Sequence, residues 1–448
     1  VDSRGRSLLV SAAAGSGKTK VLVERLFSYV EREGANLDDF LIITYTRAAA
    51  SELRGKIAKA LAERMERDPG NEHLRRQMLR VYRADIKTVD AFCTALLREN
   101  CHLLGEDARG HTLRPDFRVL DESDAQTLRE RVLARTLDDF YDRLMPGGTL
   151  LSDTLGAGRD DSALEALVLE LHAKLQAQPY EDKWLDAQRA LWSEVPDRIE
   201  KTPYGRILLD EVRRKARHWQ RLMQTAAQEM TQNDALNQKY APAFLDVSYQ
   251  LEALTAKADE GWDAARGVSI AFPRLAPVKD SDGGELKTRM KALWDGCKAA
   301  VKGFGELLNA SSGEAAEDLR TMAPAMLALI DLTAEFSRRY NEEKRRRNAA
   351  DFSDQEHEAI RLLIGEDSTP TELARTVSTR YREIMVDEYQ DTNEVQNRIF
   401  DAISCKGENL FTVGDVKQSI YRFRLADPRI FLQHYNTWPP LAQAGEHE

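Results

Sequence analysis

Ser7-Leu-Leu-Val-Ser-Ala-Ala-Ala-Gly-Ser-Gly-Lys-Thr19 is the stretch on which the fold turns. Leu8, Leu9 and Val10 form a short apolar run of the kind a buried strand makes. Ala12, Ala13, Ala14, Gly15, Ser16 and Gly17 follow, all small enough to let the backbone fold tightly around an anion. Lys18 and Thr19 open a helix whose apolar positions (Val21, Leu22, Leu26, Phe27, Val30) continue to a stop near Gly34. Free N–H groups at such a loop and helix N-terminus attract phosphate. Lys18 adds a point charge, and the Thr19 hydroxyl is a candidate Mg2+ ligand. Ala12 stands where a glycine would open the usual G-x-x-x-x-G-K-T spacing, and a methyl group is tolerated there. An incidental glycine- and alanine-rich turn is the weaker reading; a nucleotide site is the stronger one.

A chain of 448 residues is too long for one ordinary domain, and 42% hydrophobic content can build sizeable cores. No apolar run approaches the roughly 20 residues of a membrane span, and no charged-then-apolar leader precedes the loop. The first residue is Val1 and not methionine, so a trimmed chain is expected. Cys93, Cys101, Cys297 and Cys405 lack metal-ligand spacing, which favours buried thiols in a reducing cytoplasm. A net charge of −10 argues against indiscriminate polyanion binding, so nucleic-acid contacts must come from local basic and aromatic patches.

Strand and helix patterns alternate at first. Phe40 to Thr46 is a second buried strand, handing over at Arg47 to an alanine-rich helix (Leu53, Ile57, Leu61, Met65) that Asp68-Pro69-Gly70 ends. Ala84 to Val89 makes a third strand before a helix from Asp90 to about His102. Phe117 to Leu120 makes a fourth, with Asp121 or Ser123 capping the next helix. This alternation implies an α/β fold, a parallel sheet with helices on both faces. From 122 to 350 the sequence turns into long amphipathic helices (Leu164 to Leu175, Ile207 to Ala226, Ala315 to Arg347). That region carries no catalytic signature and reads as a helical insertion, because core signals resume after it. The basic run Arg338, Arg339, Lys344, Arg345, Arg346, Arg347 is expected to be a solvated helix face, given the interleaved Glu342 and Glu343. Asp351 and Asp354 read as a helix N-cap rather than paired catalytic acids.

Ile384 to Val386 makes another strand, ending in adjacent carboxylates. Asp387 is placed to hold the Mg2+ that Thr19 also touches, and Glu388 to orient or deprotonate an attacking water. Leu410 to Gly414 is the next strand. In its exit loop Gln418 is placed to report on a terminal phosphate, and Tyr421, Arg422, Phe423 and Arg424 interleave aromatic with cationic groups suited to stacking single-stranded bases.

Ala12 to Thr19, Thr44 to Arg54, Lys87 to Cys93, Asp351 to Asp354, Asp387 to Thr392 and Val413 to Pro428 together resemble the UvrD/Rep group of superfamily 1 DNA helicases, most closely its bacterial helicase–nuclease branch, the AddA (RexA) subunits. The order of the segments matches, and Asp-Glu-x-Gln-Asp with Gly-Asp-x-x-Gln-Ser is highly specific. The helical middle is matched by layout alone. The resemblance implies a RecA-like P-loop NTPase domain (1A) formed by 1–121 and 351–448, interrupted by an all-helical domain (1B) over 122–350. It implies ATP and Mg2+ as cofactors, held by the 12–19 loop with Lys18 on phosphate and with Thr19 and Asp387 on the metal. Glu388 would be the catalytic base and Gln418 the coupling residue. Thr46, Arg47 and Phe92 would lie along the DNA strand with Tyr421, Phe423 and Arg424, Phe423 standing where related helicases place a stacking tryptophan. At Asp90 many relatives have histidine.

The implied activity is an ATP-dependent DNA helicase with nuclease activity in the intact protein, acting on single- and double-stranded DNA ends in double-strand-break repair. An AddB/RexB-like second subunit is the implied partner, with no membrane and a cytoplasmic location. A UvrD-type repair helicase without nuclease, or a non-motor DNA-binding scaffold with an idle nucleotide site, is the alternative. The group's adenine-reading segment, second RecA-like domain and nuclease domain lie outside these 448 residues, so the fragment alone is expected to bind ATP–Mg2+ weakly and hydrolyse it negligibly. An arginine finger is worth on the order of 10³–10⁵ in rate.

Overall fold

The computed structural model describes residues 1–13, 15, 17–106, 110–143, 147–155, 162–404, 407–419 and 426–441, with the side chains of 155 and 280–283 left aside. Its strands are β1 (Leu8–Ser11), β2 (Phe40–Thr44), β3 (Asp85–Thr88), β4 (Arg118–Val119), β5 (Ala349–Ala350), β6 (Glu383–Val386) and β7 (Leu410–Gly414). Five of them form one parallel sheet in the order β1-β7-β6-β2-β3. Strands from opposite ends of the sequence are therefore neighbours: Val10 lies opposite Val413, and Ile42 opposite Met385.

Alternation along these strands builds two cores, one on each face of the sheet. Phe40, Ile42, Met385, Phe411 and Val413 face one way. They pack with Leu22, Leu26 and Phe27 of α1 (Lys18–Glu33), Leu53, Ile57 and Leu61 of α2 (Arg47–Arg67) and Leu74 of α3 (Glu72–Arg80). Leu41, Ile43, Ile384 and Val386 face the other way and pack with Phe92, Cys93 and Leu97 of α4 (Val89–Asn100). The expected α/β architecture, with helices on both faces, is what forms.

The chain then runs through α5 (Glu122–Arg143), α6 (Gly148–Leu155), α7 (Ser162–Gln176), α8 (Glu181–Ser193), α9 (Pro203–Met230), α10 (Asp234–Lys239) and α11 (Ala241–Glu260). α12 (Trp262–Arg266), α13 (Asp280–Leu307) and α14 (Ser312–Arg346) follow. α15 (Phe352–Leu363), α16 (Glu372–Arg380), α17 (Glu394–Ile403) and α18 (Pro428–Thr437) complete the fold, and Ile360 and Leu363 of α15 with Ile399 and Phe400 of α17 finish the second core. Two compact units result: Val1–Arg143, Leu155–Leu185 and Asp331–Glu448 make one, and Leu144–Thr154 with Asp186–Ile330 the other. The second is all helix and has its own core, in which Leu209, Val212 and Met223 of α9 meet Phe244, Val247 and Leu251 of α11. In that unit Gly205 sits so close to the Ile199 carbonyl that a Cβ could not be accommodated.

Two expectations change. Phe117 to Leu120 is not a fourth strand of the main sheet: β4 pairs in parallel with β5, whose Ala-Ala sequence carries no strand signal of its own. The basic run of α14 is not a uniformly solvated face. Arg338 and Arg346 are exposed and paired with Glu335 and Glu343, but Lys344 is 1% exposed and its Nζ donates to Asp351 (2.9 Å) and Asp354 (2.7 Å). Burial of a lysine demands such compensation, and the two acids supply it. Asp351 and Asp354 form the capping box of α15, as expected, and hold Lys344 as well. Cys93, Cys101 and Cys297 are buried free thiols as expected, and Cys405 lies outside the described residues.

Candidate ATP site at the end of the parallel sheet

The loop between β1 and α1 takes the conformation its glycines permit. Gly15 has φ 71° and Gly17 φ 90°, left-handed values that side chains rarely adopt. The Ala12 N–H donates to the Gly414 carbonyl at 3.1 Å, fastening the start of the loop to the end of β7. Gly17 caps α1, no side chain supplies a capping hydrogen bond, and the first turn carries no acid. A 16-residue helix therefore directs unsatisfied N–H groups and the positive end of its dipole toward the loop. Ala14 and Ser16 lie outside the described residues; Ala13 is exposed, and Thr19 follows Lys18 on the first turn, half-buried.

Of the two adjacent acids after β6, Glu388 meets the lysine of the loop. The parallel register of β6 beside β7, and of β7 beside β1, brings the ends of β1 and β6 to the same edge of the sheet, where ligands bind in open α/β folds. Lys18 is buried, and its Nζ lies 2.7 Å from Glu388 Oε2. Glu388 adopts φ 54°, ψ 42°, a left-handed conformation unusual for a glutamate. Strain of this kind is worth on the order of 1–3 kcal/mol and persists only where surrounding contacts impose it. Asp387, at the tip of β6, donates its N–H to the Ile43 carbonyl at 3.0 Å. Burial, and secondarily the charge of Glu388, pushes its carboxyl above the usual carboxylate range, with Lys18 opposing. A cation beside Asp387 would relieve that pressure, and a threonine hydroxyl with a carboxylate is an oxygen donor set of the kind Mg2+ takes. The residues present fit the ion.

Gln418 does not touch Lys18 or Glu388. It ends a short 3-10 turn (Val416–Gln418) and donates from Nε2 to the Asp415 carboxylate. Asp415 reaches the carboxylates through Gln390, whose Oε1 accepts from the Asp415 N–H (2.8 Å) while Nε2 donates to Glu388 Oε2 (2.9 Å). Gln390 stands inside the Asp-Glu-Tyr-Gln-Asp segment, but sequence reasoning gave it no role: a glutamine's two-sided hydrogen bonding leaves no trace in spacing or hydropathy.

The expected DNA-facing residues divide. Thr46 caps α2, accepting from the Ala49 N–H at 3.0 Å, and Arg47 beside it is exposed. Phe92 is 4% exposed within the core under α4, so its ring has no face to offer a base. An aromatic residue in the first turn of an amphipathic helix is ambiguous in sequence, and here the core claims it. Tyr421, Phe423 and Arg424 lie outside the described residues.

The model of the UvrD/REP helicase N-terminal domain matches residues 1–439. This chain belongs to that family. It is similar to the A subunit of the ATP-dependent helicase/nuclease of Acetivibrio thermocellus, at 34% identity over 457 residues, 97% of this chain and 36% of that protein. The protein of the same name from Syntrophomonas wolfei is 34% identical over 98% of this chain and 34% of its own length. That from Desulfitobacterium hafniense is 36% identical over 99% and 33%. The chain thus spans about a third of the length of the curated relatives it matches. Among the described residues no helix is long and apolar enough to cross a membrane.

Proposed function

We propose that this chain is the ATP-binding motor portion of an AddA-like helicase/nuclease that processes DNA double-strand ends for recombinational repair in the cytoplasm. Its substrates would be single- and double-stranded DNA, and its partner an AddB/RexB-like second subunit. The 2.7 Å approach of Lys18 Nζ to Glu388 carries the ATPase part of this reading. It joins a phosphate-type loop to the acids that ATP hydrolysis needs. Residues 1–121 and 351–448 are taken as the motor domain and 122–350 as a helical insertion. In support, the buried residues of the two cores flanking the sheet come from positions up to Phe117 and from Ala350 onward.

The roles follow from position. The loop of residues 12–19 would surround the phosphates with N–H groups, Lys18 would exchange Glu388 for the terminal phosphate, and Thr19 and Asp387 would hold Mg2+. The ion's contribution is to neutralise charge on the phosphate oxygens. Glu388, released from Lys18, would accept the proton of the attacking water, and Gln418 would sense the terminal phosphate through the strand end it shares with Asp415. Thr46 and Arg47, with Tyr421, Phe423 and Arg424, would follow the DNA strand.

The test is Lys18→Ala in the complete protein, with DNA-stimulated ATP hydrolysis and strand separation both measured. Loss of both is expected; unchanged repair activity in cells carrying the variant would leave a non-motor DNA-binding scaffold as the better reading.

A further inference from the structure

Gln390 is 1% exposed, and every polar atom of its side-chain amide is engaged. Nε2 donates to Glu388 Oε2 at 2.9 Å and to Asp391 Oδ2 at 3.3 Å, and Oε1 accepts from the Asp415 N–H at 2.8 Å. This pattern sets the amide's orientation, because the flipped form would face N–H with N–H and oxygen with oxygen. The Gln390 main-chain carbonyl is held as well, by the Ser419 hydroxyl at 3.3 Å. Space for the amide exists because residue 414 is glycine: a Cβ there would come within 2.5 Å of Gln390 Oε1 and 2.9 Å of Phe431 Cε2.

Glu388 Oε2 therefore has two donors, Lys18 Nζ and Gln390 Nε2. They differ in what a nucleotide would do to them. Lys18 heads the phosphate loop and is drawn away by a phosphate, whereas Gln390 is buried and tied to β7. We propose that Gln390 is a positioning residue for ATP hydrolysis. It holds the Glu388 carboxylate in place after Lys18 has transferred to the phosphate, and it ties that carboxylate to the Asp415–Gln418 turn, so that Glu388 and Gln418 move as one unit. The proposal rests on the ATPase reading given above.

The test uses the complete protein with DNA-stimulated ATP hydrolysis, comparing Gln390→Leu, Gln390→Glu and Glu388→Gln. Gln390→Glu keeps an oxygen acceptor for the Asp415 N–H, and so keeps the turn, but replaces the donor to Glu388; it guards against a folding defect in Gln390→Leu. Both Gln390 variants should lower kcat by about 10- to 100-fold, the range lost when an orienting partner is removed, with KM for ATP nearly unmoved. Melting temperature should fall in both, because Leu leaves the buried Asp415 N–H unpaired and Glu sets a carboxylate against Glu388 and Asp391. If kcat stays within about twofold in Gln390→Glu while Glu388→Gln abolishes turnover, the positioning role is refuted and the ATPase reading stands. A parallel loss of kcat and ATP affinity in both Gln390 variants would make the residue merely structural and also refute it. Full turnover by Glu388→Gln would remove Glu388 as the base and refute the positioning role with it, whereas no hydrolysis by the unsubstituted complete protein would overturn the ATPase reading itself.

Discussion

Lys18 Nζ and Glu388 Oε2 are 2.7 Å apart, across 370 residues of sequence. The Glu388 side chain is 44% exposed, so the pair is partly screened by water and worth ~1 kcal/mol or less. A bound phosphate must compete with Glu388 for the lysine. Glu388→Gln should therefore bind ATP about two- to fivefold more tightly while losing turnover. Equilibrium titration with a fluorescent ATP analogue, beside a hydrolysis assay, measures both. Weaker binding would show that Glu388 does not compete for Lys18.

Arg25 of α1 and Glu383 of β6 form a second pair of a different kind. Arg25 is fully buried, its guanidinium meets both carboxylate oxygens of Glu383, and the Tyr29 hydroxyl donates to the same carboxylate at 3.0 Å. Removing one partner leaves an uncompensated buried charge. Glu383→Leu should destabilise the α/β unit by about 3–5 kcal/mol, and the double variant with Arg25→Met by less than the sum of the singles. Urea denaturation of the four proteins of the cycle measures this.

His172 of α7 is 2% exposed, and neither ring nitrogen has a hydrogen-bond partner; its ring packs edge-on against Phe336 and Tyr340. Burial, with the Lys344 charge nearby, lowers its pKa from 6.5 to about 3. In the unfolded chain the ring takes up a proton near its ordinary pKa, whereas the folded protein resists it. Its contribution to stability is thus complete above pH 6.5 and declines as the pH falls toward 3, by at most about 1.4 kcal/mol per unit. His172→Phe should flatten this part of the stability–pH curve and cost little at pH 7.5. Thermal melts from pH 7.5 to 4.5 test it.

Gly205 lies in the first turn of α9 against the Ile199 carbonyl, in the turn capped by Thr202. Gly205→Ala forces backbone apart and should destabilise the helical unit by roughly 1–3 kcal/mol. Hydrogen exchange should quicken in α9 and α11 while β6 and β7 stay protected.

Arg47 is exposed at the start of α2, next to the capping Thr46. If it meets a DNA phosphate, Arg47→Ala in the complete protein should weaken single-strand binding about equally for all sequences and reduce the salt slope of log affinity by about 0.7. An unchanged slope would remove Arg47 from the DNA path.

Much of the site was legible in the letters. Small residues before Lys18-Thr19, and paired acids after the apolar run of β6, report local chemistry that any fold must respect. Phe92 and Lys344 were misjudged for a shared reason: whether an aromatic ring or a lysine on an amphipathic helix meets solvent depends on what the rest of the chain places over it. The Ala-Ala of β5 became a strand only because β4 arrived beside it.

The sequence by itself determined that a small-residue loop between a strand and a helix, a pair of carboxylates and a parallel α/β core are present, since each is written in residue type and short-range periodicity. Only the tertiary structure decided that β7 sits between β1 and β6, that Glu388 answers Lys18, and that Gln390 joins Glu388 to Asp415. The physical reason is that strand order and buried hydrogen bonds belong to pairs of residues far apart in the chain, and no local pattern encodes which distant partner a strand or a polar group will meet.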